Sequence, residues 1–267
     1  GCTSVSTPVT VSVTSTPPNT VSTSGPTSFC QGGSVTLSAP TGYNYLWSNG
    51  STSRTVSVNT SGSYRVTVSA TGGCSSTSSA VNVTANALPT ANVTASGSTS
   101  FCQGGSVTLT ATGGSSYQWS NGQSGNSITV NAAGSYSAVA SNASGCTASS
   151  NNVTVTVSAI PTPSITVNGS TSIMVGQTTT LVATGGTSYV WQPGGQTTAS
   201  ITVSNPRTYS VTATNAGNCS ATSTPVTITQ ANNPTAVDIS VNGNTTICQG
   251  NNVTFTATGG ANYLWAP

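Results

Sequence analysis

The chain contains no histidine, lysine or glutamate, and its entire charged complement is Arg54, Arg65, Arg207 and Asp238 in 267 residues. That scarcity excludes most chemistry. General acid-base catalysis draws mainly on His, Glu, Asp or Lys beside the reacting proton, and a serine nucleophile requires a neighbouring base. The many serines here have no such partner, so no catalytic residue is assigned and the chain is read as non-enzymatic. Calcium sites take several carboxylates and zinc sites take histidines or clustered thiolates, which leaves no metal or cofactor site to expect. Nucleic acid is excluded as a partner because three scattered arginines cannot form the basic stripe that displaces counterions. No apolar run is long enough to cross a bilayer, so no membrane insertion is expected of this segment, and no helical period is visible. Neither a signal peptide nor a sorting tail stands out.

What the chain does have is repetition. One phrase recurs at a spacing of about 72 residues, as Ser28-Phe29-Cys30-Gln31-Gly32-Gly33, Ser100-Phe101-Cys102-Gln103-Gly104-Gly105, Ser172-Ile173-Met174-Val175-Gly176 and Thr246-Ile247-Cys248-Gln249-Gly250. Each is followed by a tryptophan (Trp47, Trp119, Trp191, Trp265), and each complete copy then reaches a cysteine (Cys74, Cys146, Cys219). The period predicts three whole repeats, 18–88, 89–160 and 161–233. Residues 1–17, with Cys2 in the place of Cys74, read as the tail of a preceding repeat, and 234–267 as the head of a following one. Prolines punctuate the boundaries: Pro17-Pro18, Pro89, Pro161 with Pro163, and Pro234.

Within each repeat, apolar and polar residues alternate, as in strands with one buried face. Ser106-Val107-Thr108-Leu109-Thr110-Ala111 is followed by Ser116-Tyr117-Gln118-Trp119, a hairpin-competent Asn121-Gly122, Ser127-Ile128-Thr129-Val130, a strand opened by Gly134-Ser135-Tyr136, and finally Asn152 to Val157. The other repeats keep the pattern with different letters. Short strands at regular spacing, a core tryptophan on a middle strand and a tyrosine opening the penultimate one predict an all-β fold, a tandem array of small immunoglobulin-like β-sandwiches. Trp47, Trp119 and Trp191 are the expected core aromatics, with Tyr64, Tyr136 and Tyr209 at the tyrosine-corner position.

A unit of about 72 residues is marginal on its hydrophobic core alone, so cross-links matter. The cysteines precede the second strand and follow the penultimate one, which leads to an expectation of disulfides within repeats, Cys30–Cys74 and Cys102–Cys146, tying loops near one end of each sandwich. Cys2, Cys219 and Cys248 then remain unpaired within the sequence. Met174 stands where the third repeat should have its first cysteine, which leaves two readings of Cys219: a buried thiol packed against Met174, or an intermolecular disulfide. With Thr179 in place of Val35 and Val107, the third repeat is expected to be the softest. Disulfides persist outside the cytosol, so an exported protein is predicted.

The run Phe-Cys-Gln-Gly-Gly-Ser-Val-Thr-Leu, followed by Tyr-x-Trp-Ser-Asn-Gly, Gly-Ser-Tyr and Gly-Cys, resembles the Ig-like and PKD-like tandem repeats of very large surface proteins in Bacteroidota. The resemblance implies export by the type IX secretion machinery, an outer-surface or secreted location, and service as an adhesin, including gliding-motility adhesins. The leading expectation is a structural stalk whose partners are the neighbouring repeats of its own chain. Two alternatives stand beside it. One is a carbohydrate-binding repeat, with Tyr45 and Trp47, Tyr117 and Trp119, and Tyr189 and Trp191 as platforms for surface glycans; the other is a self-assembling filament or sheath whose copies pair along strand edges.

Overall fold

The computed structural model describes residues 1–232, 236–260 and 262–266. Pro234, expected between the third and fourth repeats, lies outside the described residues. Every regular element among the described residues is a β-strand. The strands gather into two compact units, Gly1–Thr99 with Ser106–Thr156, and Ser100–Gly105 with the residues from Val157 onward.

The first repeat contains β1 (Ser22–Thr23), β2 (Ser28–Cys30), β3 (Val35–Ser38), β4 (Asn44–Trp47), β5 (Thr55–Val58), β6 (Gly62–Tyr64), β7 (Val66–Ser69), β8 (Ser75–Thr77) and β9 (Val81–Asn86). One layer has the order β1-β3-β5; the other holds β4-β7-β8 and, beyond the interruptions at Arg65 and Ser78, β2-β9-β6. Alternation places Val35 and Leu37 of β3 inward, where they meet Trp47, Val58, Tyr64, Val66, Val68 and Val83 in one buried cluster. Burial of each such side chain stabilises by roughly 1.5–3 kcal/mol, which is what holds two small sheets face to face. The outward residues of β3, β5 and β7 are serines and threonines, and hydroxyls pair across strands, as Thr67 does with Thr77 at 3.1 Å. This is the tandem immunoglobulin-like β-sandwich that the periodicity predicts.

The tyrosine corner is present in every complete repeat. The Tyr64, Tyr136 and Tyr209 hydroxyls donate to the carbonyls of Thr60, Ala132 and Asn205 at 3.1, 3.0 and 3.0 Å. The core tryptophans are held by their indole N–H as well. Trp47, Trp119 and Trp191 donate to Ser53, Gly125 and Thr198 carbonyls, each at 2.9 Å.

The third repeat, in the second unit, repeats the plan. Ser164–Asn168, Thr179–Thr184 and Ser200–Val203 form one sheet, and Ser188–Gln192, Thr208–Thr214 and Ser220–Thr222 lie in the other, around Leu181, Trp191, Ile201, Tyr209, Val211 and Ile228. Thr179 takes the buried place of a valine without an orphaned hydroxyl, because its Oγ1 donates to the Asn168 carbonyl at 3.4 Å. Beyond it, Asp238–Asn242 pairs antiparallel with Thr254–Thr258, and Phe255 lies against Trp265 with ring centroids 6.3 Å apart.

Candidate functional site at the repeat junctions

The phrase that marks each repeat builds one end of a sandwich. In β2 it runs parallel to the last strand, with Ser28 opposite Thr84, Phe29 opposite Ala85 and Cys30 opposite Asn86. Cys30 therefore stands where the chain leaves the first repeat. The chain then reverses in a turn: Gly33 N–H donates to the Cys30 carbonyl at 2.9 Å while Gly32 adopts φ 95°, a conformation that only glycine takes without strain. The same turn recurs at Gly104, Gly176 and Gly250, all with positive φ, which explains why the phrase keeps its glycine after Cys-Gln has changed to Met-Val.

The second cysteine of a repeat sits at the other end. Cys74 precedes β8, at the start of the two-part strand whose far end faces Cys30. A disulfide needs Cα atoms about 4.4–6.8 Å apart, and a whole extended strand separates these two, so the expected Cys30–Cys74 bond is not made. Instead Cys30 bonds Cys146 of the next repeat, with Cα atoms 5.5 Å apart. In the second unit Cys102 bonds Cys219, at 5.6 Å. The expected Cys102–Cys146 bond is not made, since Cys146 is bonded to Cys30 and Cys102 to Cys219, and Cys219, expected as a free thiol, is fully engaged. Met174 does not pack on it; it lies 48% exposed beside Ile173 at the exit end of the third repeat. Cys2 and Cys248 are free and exposed, and Cys74 joins them as a free, half-buried thiol.

Each disulfide is reinforced by an asparagine that sequence reasoning missed. Asn142 Oδ1 accepts from the backbone N–H groups of Ser144 and Cys146 at 3.1 and 3.0 Å, which folds the loop that presents Cys146. Its Nδ2 then donates to the carbonyl of Ala87 at 2.8 Å, in the connection from the first repeat. Asn215 does the same in the second unit, accepting from Gly217 and Cys219 at 3.0 Å each and donating to Ala159 at 2.6 Å. The residue before each cysteine has left-handed φ, 77° at Gly145 and 59° at Asn218, a place where asparagine substitutes for glycine. The signal available in the sequence was Asn142-Ala143 matching Asn215-Ala216, against Ala70-Thr71 in the first repeat. There the thiol of Cys74 donates to the Thr14 carbonyl at 3.6 Å, at the position that Asn86 holds 4.0 Å from Cys146 Sγ, without an asparagine tie.

No family model matches this chain, and no curated protein matches it either. Solved structures do. Extracellular domains 3–5 of Drosophila OTK align with 77% of this chain and 94% of theirs at 11% identity and a TM-score of 0.36. A structure concerned with host cell surface retention of a 1.5-MDa bacterial ice-binding adhesin covers 81% of this chain and 99% of that one at 15% identity and a TM-score of 0.32. The fibronectin(III)-like modules of Clostridium thermocellum CbhA cover 52% and 94% at 16% identity and a TM-score of 0.30. The fold assignment rests on the strand order and cores described above.

The aromatic platforms fare differently from the junctions. Trp47, Trp119 and Trp191 are 1%, 2% and 0% exposed, so no sugar ring can stack on them. Their neighbours clip loops of their own repeat. Tyr117 donates to the Gly114 carbonyl and accepts from Gly114 N–H at 2.8 and 2.9 Å, and Tyr189 bonds Gly186 in the same way. Among the described residues no group of His, Cys, Asp or Glu is gathered that could hold a metal ion, and no helix is long and apolar enough to cross a membrane.

Proposed function

We propose that this chain is a non-enzymatic structural segment, a stalk, of a large extracellular bacterial surface adhesin. The observation that carries the reading is the placing of its disulfides. They join successive repeats, Cys30 to Cys146 and Cys102 to Cys219, and do not staple single sandwiches. A free-standing binding domain gains nothing from such a bond; a string of domains that must hold its repeats in sequence does. Two disulfides also favour an oxidising, extracytosolic setting. The finer assignment to a type IX secreted protein of Bacteroidota, of the kind that includes gliding-motility adhesins, rests on the resemblance of the repeat phrase.

The test is a glycan array and analytical ultracentrifugation on the oxidised chain. A stalk is expected to bind no glycan and to sediment as a monomer at high concentration. Glycan capture would replace this reading with the carbohydrate-binding one, and ordered fibres in micrographs would replace it with the self-assembling filament.

A further inference from the structure

The two disulfides are interleaved. Cys102 lies inside the loop closed by Cys30 and Cys146, and Cys146 lies inside the loop closed by Cys102 and Cys219. We infer that this interleaving makes the array a strain-limited tether, in which tension between the chain ends bypasses most strands of the first and third repeats and is carried through the middle repeat from Cys146 back to Cys102.

The argument is one of covalent paths. A pull on Gly1 reaches Cys30 and crosses to Cys146. From there the shortest route runs backwards along the chain to Cys102, crosses to Cys219 and continues to the C-terminal end. Residues 31–101 and 147–218 lie off that route. In the first sandwich only β1 and β2 carry load, while β3 to β9, with Trp47 and the Tyr64 corner, hang from it. In the third, the strands holding Leu181, Trp191, Ile201 and Tyr209 are off the route as well, while Ser220–Thr222, Val226–Thr227 and Thr229–Gln230, with the core residue Ile228, are on it. The second repeat differs, because its strands from Val107–Thr112 to Ala138–Ser141, with Trp119 and Tyr136, lie between Cys146 and Cys102 and are pulled in reverse. Its last strand, Val153–Ser158 with buried Val155, is off the route, but these strands are in series with the force, and their unravelling ends at a covalent stop.

The route contains about 125 residues against 267 in the open chain, so at 3.6 Å per residue the fully drawn lengths are about 450 and about 960 Å. Interleaving gives a non-additive signature. Loss of one bridge leaves a route of about 150 residues through the other, about 545 Å in length, a gain of only about 100 Å. Loss of both releases the whole chain. Disulfides confined within single repeats would give about 650 Å with both intact, and each loss would add an equal increment.

The experiment is single-molecule force spectroscopy on the full chain, tethered through thiol-free peptide tags at its two ends. The oxidised chain, Cys30→Ser, Cys102→Ser and the double variant are compared, each with and without a phosphine reductant, which takes oxygen from water as the disulfide becomes two thiols. Expected final lengths are about 450, 545, 545 and 960 Å, all converging on about 960 Å after reduction. A final length near 650 Å, additive increments, or an oxidised chain that reaches full extension would overturn the inference. A glycan hit on the array would leave these lengths unchanged, so failure of the stalk reading and failure of this one are distinguishable.

Discussion

Asn142 holds three partners with one side chain, two backbone N–H groups of its own loop and the carbonyl of Ala87 across the junction. An intramolecular hydrogen bond contributes a net 0.5–1.5 kcal/mol or so, and alanine here removes all three while adding no new contact. Asn142→Ala is therefore expected to lower the stability of the first unit by about 1–3 kcal/mol, read as a fall in the urea midpoint with unchanged slope. Ala70 provides a natural control, since Ala70→Asn offers the same acceptor to the loop before Cys74 and should stabilise, or at worst leave the midpoint unmoved. The thiols give a second prediction at this scale. Alkylation of the unreduced, unfolded chain should modify Cys2, Cys74 and Cys248 and spare Cys30, Cys102, Cys146 and Cys219; modification of Cys219 in place of Cys74 would restore the pairing expected within repeats.

At the level of elements, the turn that ends β2 is governed by backbone conformation alone. Gly104 has φ 91°, and a Cβ built on it meets nothing within 4 Å, so Gly104→Ala tests strain without a clash. The expected loss is about 1–2 kcal/mol, the difference between left-handed and ordinary backbone for an L-residue, and a midpoint unchanged in urea would contradict it. Strands, cores and tyrosine corners were legible because each follows from a local rule: period-2 alternation buries Val35 and Leu37, and Gly-Ser-Tyr sets the corner. The partner of a repeated cysteine was not. Every repeat offers the same two positions, so spacing along the chain cannot say whether Cys30 closes on Cys74 or on Cys146. The choice is made by the parallel pairing of β2 with the end of β9, which carries Cys30 to the exit of its sandwich, and parallel strand contacts between residues so distant in sequence leave no periodic trace. Asn142 and Asn215 were equally hidden, since their residue type is common in this composition and only their position before the cysteine distinguishes them.

For the whole molecule, the scarcity of charge returns as a thermodynamic property. Stability changes with pH only when protons bind differently to the folded and unfolded chain, and one carboxylate with no histidine leaves little to titrate between pH 4 and pH 7. Salt has similarly few charges to screen. The junction disulfides, by contrast, should dominate. Each closes a loop of more than 100 residues, with sequence separations of 116 and 117, and on the chain-entropy model such a bridge stabilises by about 5 kcal/mol. Because the bridge spans two repeats, its removal is felt by both. Cys30→Ser should destabilise the second repeat together with the first, although residue 30 belongs to the first alone. Hydrogen exchange reports this repeat by repeat: protection should fall around Trp119 as well as around Trp47 and persist around Trp191, whose repeat is bound through Cys102. Repeats that behave as independent beads would lose protection around Trp47 only, and the array would then be a string of separate domains in spite of its covalent ties.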